Sequence, residues 1–185
     1  MFTRPSATDL LIAPPTIPDP RFRKAVLMLT HNHRGGSFAL CVNRPTEHRL
    51  QDFADELGFS TNMDFPIYWG GPVNSSTVWM LHDTSWQCEH TVPINDDWAM
   101  TSNLEMFHTL ADGDCPKNFR LMLGYCSWGR NQLNSELEGL PPWKHSNSWL
   151  IAHNLGPEWL FDQPVDMLWE HATTLSGHQA VDSWI

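Results

Sequence analysis

The sequence predicts an α+β fold in which hairpins are mixed among helices. Three observations carry this. Two almost unbroken apolar runs, residues 25–30 and 37–43, flank Arg34-Gly35-Gly36, which has the turn chemistry of a β-hairpin. Two segments with helical character each stop at a glycine, residues 50–57 at Gly58 and the stretch through Leu110 at Gly113. Strands and helices do not alternate as a regular βαβ series would require.

In chain order, residues 9–13 predict a first strand, ended by Pro14-Pro15. Residues 16–20, with prolines in and beside them, make an extended or turning connector. The hairpin of residues 25–30 and 37–43 follows, and its nearly continuous apolar runs imply burial on both faces. After the helix at 50–57, short strands at 67–69 and 77–81 lie on either side of Gly70-Gly71-Pro72. Ser102 and Asn103 are N-cap residues for the helix ending before Gly113. At residues 121–137 an apolar run ends in an aromatic turn bracketed by Gly124 and Gly129, then enters a helix with Leu133 and Leu137 one turn apart. A strand at 148–151 and a helix at about 165–175, ended near Gly177, close the chain. With no repeat, low-complexity stretch or linker, residues 1–185 read as one domain.

Composition narrows the function. The chain has 185 residues and a formal net charge of -10, from 11 basic and 21 acidic side chains. Phosphate neutralisation needs clustered Lys and Arg, and the densest group here is only Arg21, Arg23 and Lys24, so a nucleic-acid partner is not expected. No uncharged apolar run reaches roughly 18 residues, the length of a spanning helix, so no membrane partner is expected. The start, Met1-Phe2-Thr3-Arg4-Pro5-Ser6, lacks the pattern of a signal peptide, which makes the expected location cytoplasmic. Cys41, Cys88, Cys115 and Cys126 form no C-x-x-C pair, and disulfides are not expected in that compartment. Trp69, Trp79, Trp128 and Trp149 lie in or beside predicted strands, where large aromatics serve the core.

An ordered set of segments then carries a resemblance: Leu10-Leu11-Ile12-Ala13-Pro14, Asp19-Pro20-Arg21-Phe22, Val42-Asn43-Arg44-Pro45, Gly70-Gly71-Pro72-Val73 and Leu81-His82, followed by Leu123-Gly124-Tyr125, Trp128-Gly129, Gln132-Leu133, Glu136-Leu137 and Asn147-Ser148-Trp149. In this order they resemble the AlgH/YqgE family of bacterial proteins over nearly the whole chain. The resemblance implies a single compact α+β domain with a bent or bifurcated mixed sheet, partly barrel-like and flanked by helices. It implies a regulatory role by the family's name, and no reaction or cofactor. The chain departs from the family pattern at Cys126-Ser127, where Ala-Gly is usual, at Arg130-Asn131, often Pro-Gly, and at Ala39, where a glycine is typical.

If the three punctuated strand exits share one end of the sheet, Asn43, Arg44, Gly70, Gly71, His82, Tyr125 and Trp128 line one cleft. Exposed glycine amides, a helix N-terminus after Gly129 and the Arg44 fork are the parts of an anion site. The same residues serve equally as turn glycines, an Asn43 cap and an Arg44 paired with a buried carboxylate. A serine-nucleophile elbow is excluded because Tyr125 stands where G-x-S-x-G needs glycine. Cys126 precedes a helix, which favours a thiolate, but a small thiol in place of alanine reads as a packed hydrophobe, not a catalyst. His31-Asn32-His33 lacks a further ligand set in its segment, and Asp112-Gly113-Asp114 is too short for a calcium loop, so neither metal nor cofactor is expected. The leading expectation is a soluble binding or regulatory domain acting through a small, possibly anionic, molecule or a protein. Two alternatives stay open: an enzyme with a cleft around Arg44, His82 and Tyr125, and a direct transcriptional regulator.

Overall fold

Alternating side chains of the continuous apolar strands feed cores on opposite faces of one sheet. In the computed structural model, which describes residues 4–141, 149–153 and 155–182, strands β1 (Leu10–Ile12), β2 (Val26–His33) and β3 (Gly36–Cys41) are antiparallel neighbours. Leu10, Ile12, Val26, Met28 and Leu40 enter one core, while Leu11, Leu27, Leu29, Ala39 and Cys41 enter a second. Each fully buried Leu or Ile contributes about 1.5–3 kcal/mol relative to exposure. This is the two-sided burial that the unbroken runs imply.

The remaining elements are β4 (Pro45–Arg49), α1 (Leu50–Leu57), β5 (Pro66–Trp69), β6 (Val73–Asp83), β7 (Val92–Pro93), β8 (Trp98–Thr101), α2 (Glu105–Ala111), β9 (Phe119–Trp128), α3 (Gln132–Leu137), β10 (Leu150–Ala152), α4 (Pro157–Asp162) and α5 (Leu168–Asp182). The sheet runs β10-β1-β2-β3-β9-β6-β8-β7, with β4 and β5 as a side branch. It curls into half a barrel. Helices α4 and α5 cover the first core through Leu160, Leu168 and Ala172. Helix α3 covers the second through Leu133, and α1 and α2 enclose a third around Leu50, Met106 and Leu110. Among the described residues no helix is long and apolar enough to cross a membrane.

The sheet bifurcates at Gly124. Residues 121–123 of β9 pair with β6 on one edge and, in parallel, with β5 on the other. Farther on, Cys126, Ser127 and Trp128 pair with β3. Because β5 and β6 lie on opposite edges of β9, the chain joining them must cross over that strand. It does so at Gly70-Gly71-Pro72. A Cβ on Gly71 would lie 2.1 Å from the Tyr125 carbonyl carbon, and one on Gly124 would lie 2.4 Å from the Gly71 oxygen. Gly124 also has φ +69°, the left-handed conformation of a bulge. The bulge shifts the alternation: Leu121 and Leu123 face the third core, whereas Cys126 and Trp128 face the second.

Several expectations change. The glycine-bracketed aromatic turn is not a turn, because Tyr125 to Trp128 continue β9, held by Val73 and β3, and the chain leaves the sheet only at Gly129. Helix α3 then starts at Gln132 behind Asn131 at φ 58°. Helix α5 passes through exposed Gly177 instead of stopping there, and begins at Leu168 after a turn over residues 164–167. One interior glycine costs about 1 kcal/mol, which packing of a 15-residue helix on β1, β2 and β10 offsets. The last expected strand starts at Leu150; its Ser148 lies outside the described residues. The stops at Gly58, in the left-handed conformation, and at Gly113 hold, as does Asn103, whose side chain accepts from Met106 N at 2.9 Å.

Gly71→Ala should cost about 3 kcal/mol or more, because the clashing atoms are backbone and cannot rotate away. Gly58→Ala should cost only about 1–2 kcal/mol, since a Cβ there meets nothing within 4 Å and adds only left-handed strain. Urea unfolding of the two variants checks the difference.

Candidate functional site

The three punctuated segments meet around the glycine crossing. Trp69 N donates to Arg44 O at 2.8 Å, Gly70 N to Leu123 O at 2.7 Å, and Cys41 N to Gly70 O at 2.8 Å. Asn43 ties the start of β2 to the end of β3: its Oδ1 accepts from Val26 N at 2.8 Å and its Nδ2 donates to Lys24 O at 2.9 Å. The Arg44 guanidinium donates to the carbonyl of Arg23, not to a carboxylate, and its buried Nε has no hydrogen-bond partner among the described residues. Asn43, Arg44, Gly70 and Gly71 are therefore brought together. Two amides suited to an anion are already committed, Gly70 N–H to Leu123 and Gly129 N–H to Gln132 Oε1 at 3.0 Å.

Tyr125, Trp128 and His82 do not share one environment. Alternation along β9 sends the Tyr125 ring to the first core, stacked on Phe38 at 4.3 Å, and Trp128 to the second. His82 pairs with Phe119, six positions along β9 from Tyr125, or roughly 20 Å of strand. It is fully buried, with Nδ1 2.7 Å from Asp83 O and Nε2 3.0 Å from Thr101 Oγ1. A carbonyl only accepts, so Nδ1 carries the proton and Nε2 accepts from the threonine. Burial pushes the His82 pKa below its usual value, which keeps the ring neutral.

Beside the crossing lies a cavity of about 230 Å³. Ile17, Asp19 and Phe22 come from the connector and its 3₁₀ turn (Pro20–Phe22), Pro72 and Val73 from the end of the crossing, and Cys126, Ser127 and Trp128 from β9. Gln132 and Glu136 of α3 and Trp149 complete the lining. Trp149 stands edge-on to Trp128 at 6.4 Å and to Phe22 at 6.5 Å. Glu136 is 5% exposed and accepts from Trp128 Nε1 at 3.1 Å and Gln132 Nε2 at 3.0 Å. Asp19 is bonded by Arg21 Nη2 at 2.6 Å, and these hydrogen bonds hold its carboxyl below the usual range. The buried Trp149 Nε1 has no hydrogen-bond partner among the described residues. Burial pushes the Cys126 thiol well above its usual pKa, which leaves it protonated and a poor nucleophile.

Of the cleft residues expected from sequence, only Trp128 lines this cavity. Its acidic members were missed although a signal was present: Leu133, Glu136 and Leu137 stand at i, i+3 and i+4, which puts a carboxylate on the apolar face of α3. A wider depression of about 540 Å³ near Asp83, Asp97, Lys117 and Glu158 has no aromatic wall. Its deepest carboxylate, Asp83, already accepts from Ser85 and Asn118. Among the described residues no cluster of His, Cys, Asp and Glu could hold a metal ion.

The sequence profile of a family described as AlgH-like matches residues 10–181. A UPF0301 protein of Nitrosospira multiformis is 31% identical over 160 residues, covering 84% of this chain and 82% of its own. Another from Xanthomonas campestris is 30% identical over 182 residues, covering 96% and 91%. The solution structure of the AlgH protein from Pseudomonas aeruginosa superposes with a TM-score of 0.76 at 26% identity, over 96% of this chain and 93% of that one. A crystal structure of a protein from Corynebacterium diphtheriae shares the fold, with a TM-score of 0.64 at 19% identity, covering 85% and 80%.

A buried neutral histidine links stability to pH. The folded pKa of His82 lies below the 6.5 of an exposed ring. The unfolded chain therefore binds the extra proton first as pH falls, so stability present above pH 6.5 is lost towards the folded pKa. Between pH 7 and 5, the stability of His82→Asn should fall less than that of the parent chain in urea unfolding series. Parallel slopes would remove His82 from the account.

Proposed function

The chain belongs to the AlgH-like family, and on that premise we propose that it works by binding a small molecule in the cavity beside the glycine crossing. The relatives' names carry no reaction, so the reading rests on this chain's own residues. One observation carries it. Four separated pieces of chain, the connector with its 3₁₀ turn, the end of the crossing, β9 with α3, and Trp149, meet at one recess with aromatic walls and acidic polar groups. A purely structural junction would fill such a space with side chains at crystal-like density and leave no recess. Apolar walls with a few placed polar groups are the usual make-up of a ligand site.

Binding without turnover fits the chemistry at hand. Cys126 is held protonated, Glu136 is bonded to Trp128 and Gln132, and Arg44, His82 and Tyr125 occupy three different surroundings. A regulatory role would then follow from occupancy: a ligand touching the connector, β9 and α3 ties three elements together. The net charge of -10 argues against nucleic acid as the partner.

The test is a thermal-shift screen of small metabolites, followed by two-dimensional NMR of the ten tryptophan indole signals. A ligand at 100 times its Kd stabilises by about 2.7 kcal/mol, and its titration should move the Trp128 and Trp149 signals, identified by Trp→Phe variants. Hits that move neither indole, or a screen without hits, would refute the reading.

A further inference from the structure

We propose that a corner built from Arg23, Lys24, Arg44 and Arg120, separate from the recess, binds the phosphate group of a small phosphorylated molecule. Sequence shows only Arg23 and Lys24 together; the fold adds the other two. Val42 N donates to Val26 O at 2.8 Å. An antiparallel pair normally returns that bond, but Val26 N goes to Asn43 Oδ1 at 2.8 Å instead. Val42 O is thereby left for the Arg120 guanidinium, which donates to it. Beyond this point Asn43 Nδ2 donates to Lys24 O at 2.9 Å, and the Arg44 guanidinium to Arg23 O. Residues 42–44 thus gather all four cations at the open end of the β2–β3 pair.

Nothing on the chain balances their charge. Among the described residues, basic side chains form ion pairs at Arg21, Arg49, Lys117 and His153, and none of the four corner cations forms one. The acid nearest in sequence, Asp19, is committed to Arg21 at 2.6 Å. The same antiparallel register, carried two residues past Val26 and Val42, sets Lys24 across from Arg44. Like charges placed opposite one another on paired strands are destabilising. Arg120 adds to that cost, because it is only 7% exposed and a buried cation without a counter-charge is expensive. Burial pushes its pKa down, yet an arginine stays charged.

Aromatic rings stand where carboxylates are expected. Arg120 lies 4.6 Å from the Tyr68 ring centre and 5.4 Å from that of Phe161, and the Lys24 ammonium 4.9 Å from that of Trp169. Those three rings pack on the first core, so both cations stand on one side of the sheet. A ring face offsets only about 0.5–2 kcal/mol of a cation's cost, which leaves a net positive corner on a chain of charge -10. Arg23 and Lys24 are exposed and can touch a ligand, while buried Arg120 strengthens the field from below.

Several uncompensated positive charges favour a phosphate dianion over a singly charged carboxylate. They do not favour a polyanion. The corner's field is screened beyond about 8–10 Å, and an extended strand of phosphates would run onto an acidic surface. The ligand therefore carries its phosphate on a small body.

The test titrates glycerol 3-phosphate into the intact chain at constant ionic strength, followed by two-dimensional NMR. The Trp169 indole and the backbone amides of Lys24 and Arg44 should shift saturably, while the Trp128 and Trp149 indoles stay in place. Acetate should bind at least about tenfold more weakly, and Lys24→Gln, at an exposed position, should weaken glycerol 3-phosphate about tenfold. A short oligothymidylate should bind no tighter than the monoester. No saturable shift, equal affinity for acetate, or an affinity untouched by Lys24→Gln would overturn the proposal. So would tighter binding of the oligothymidylate, or a response confined to Trp128 and Trp149, which would put the phosphate in the recess.

Discussion

The crossing of one backbone over another at Gly71 and Gly124 is the constraint on which the architecture rests. Strand β9 carries β6 on one edge and β5 on the other, so a connection between those partners has to pass over it. Passage that close leaves no room for a Cβ on either chain, which is why Gly70, Gly71 and Gly124 coincide in space though more than fifty residues separate them in sequence. The crossing also bends the sheet. Gly124 in its left-handed conformation inserts a bulge, the alternation of β9 shifts, and the edge that served β5 passes to β3.

The site's chemistry follows from that shift. Without the bulge, the alternation that puts Leu121 and Leu123 towards the third core would send Tyr125, not Cys126 and Trp128, to the face that α3 covers. With it, Trp128 reaches Glu136 across eight residues and gives a buried carboxylate the donor it needs. Loss of either donor leaves a buried carboxylate short of a hydrogen bond, at a cost of about 1–3 kcal/mol or more. The crossing supplies Pro72 and Val73 to the same recess. Backbone topology and site composition are thus one problem, solved around one strand.

Much of this was legible in the residues, and what was not has identifiable causes. The hairpin at Arg34-Gly35-Gly36, the helix stop at Gly58 and the Asn103 cap are local signals, and each is where the sequence places it. The bifurcated sheet came from the resemblance, since no local pattern announces that one strand serves three partners. Gly124 misled because a glycine inside a strand and one ending it look alike until the crossing chain is known. Strands β4 and β7 are short, mostly exposed and contain Pro45 and Pro93 at the sheet margin, so neither shows apolar alternation. For the site, the glycines were read as amide donors when their missing side chains are what matters. Asp19, Phe22, Gln132 and Glu136 stood in the segments that carried the resemblance but join only when α3 folds back on the connector.

The account stands most directly on the rigidity of the crossing, and native-state hydrogen exchange measures it. The amides of Cys41, Trp69 and Gly70 bond to Gly70 O, Arg44 O and Leu123 O within 2.8 Å. If the crossing holds the sheet together, these three amides should exchange only through global unfolding, with an opening free energy equal to that from urea denaturation. Exchange of Gly70 through a local opening, several kcal/mol below the global value, would show that the sheet persists without the crossing and would contradict the account.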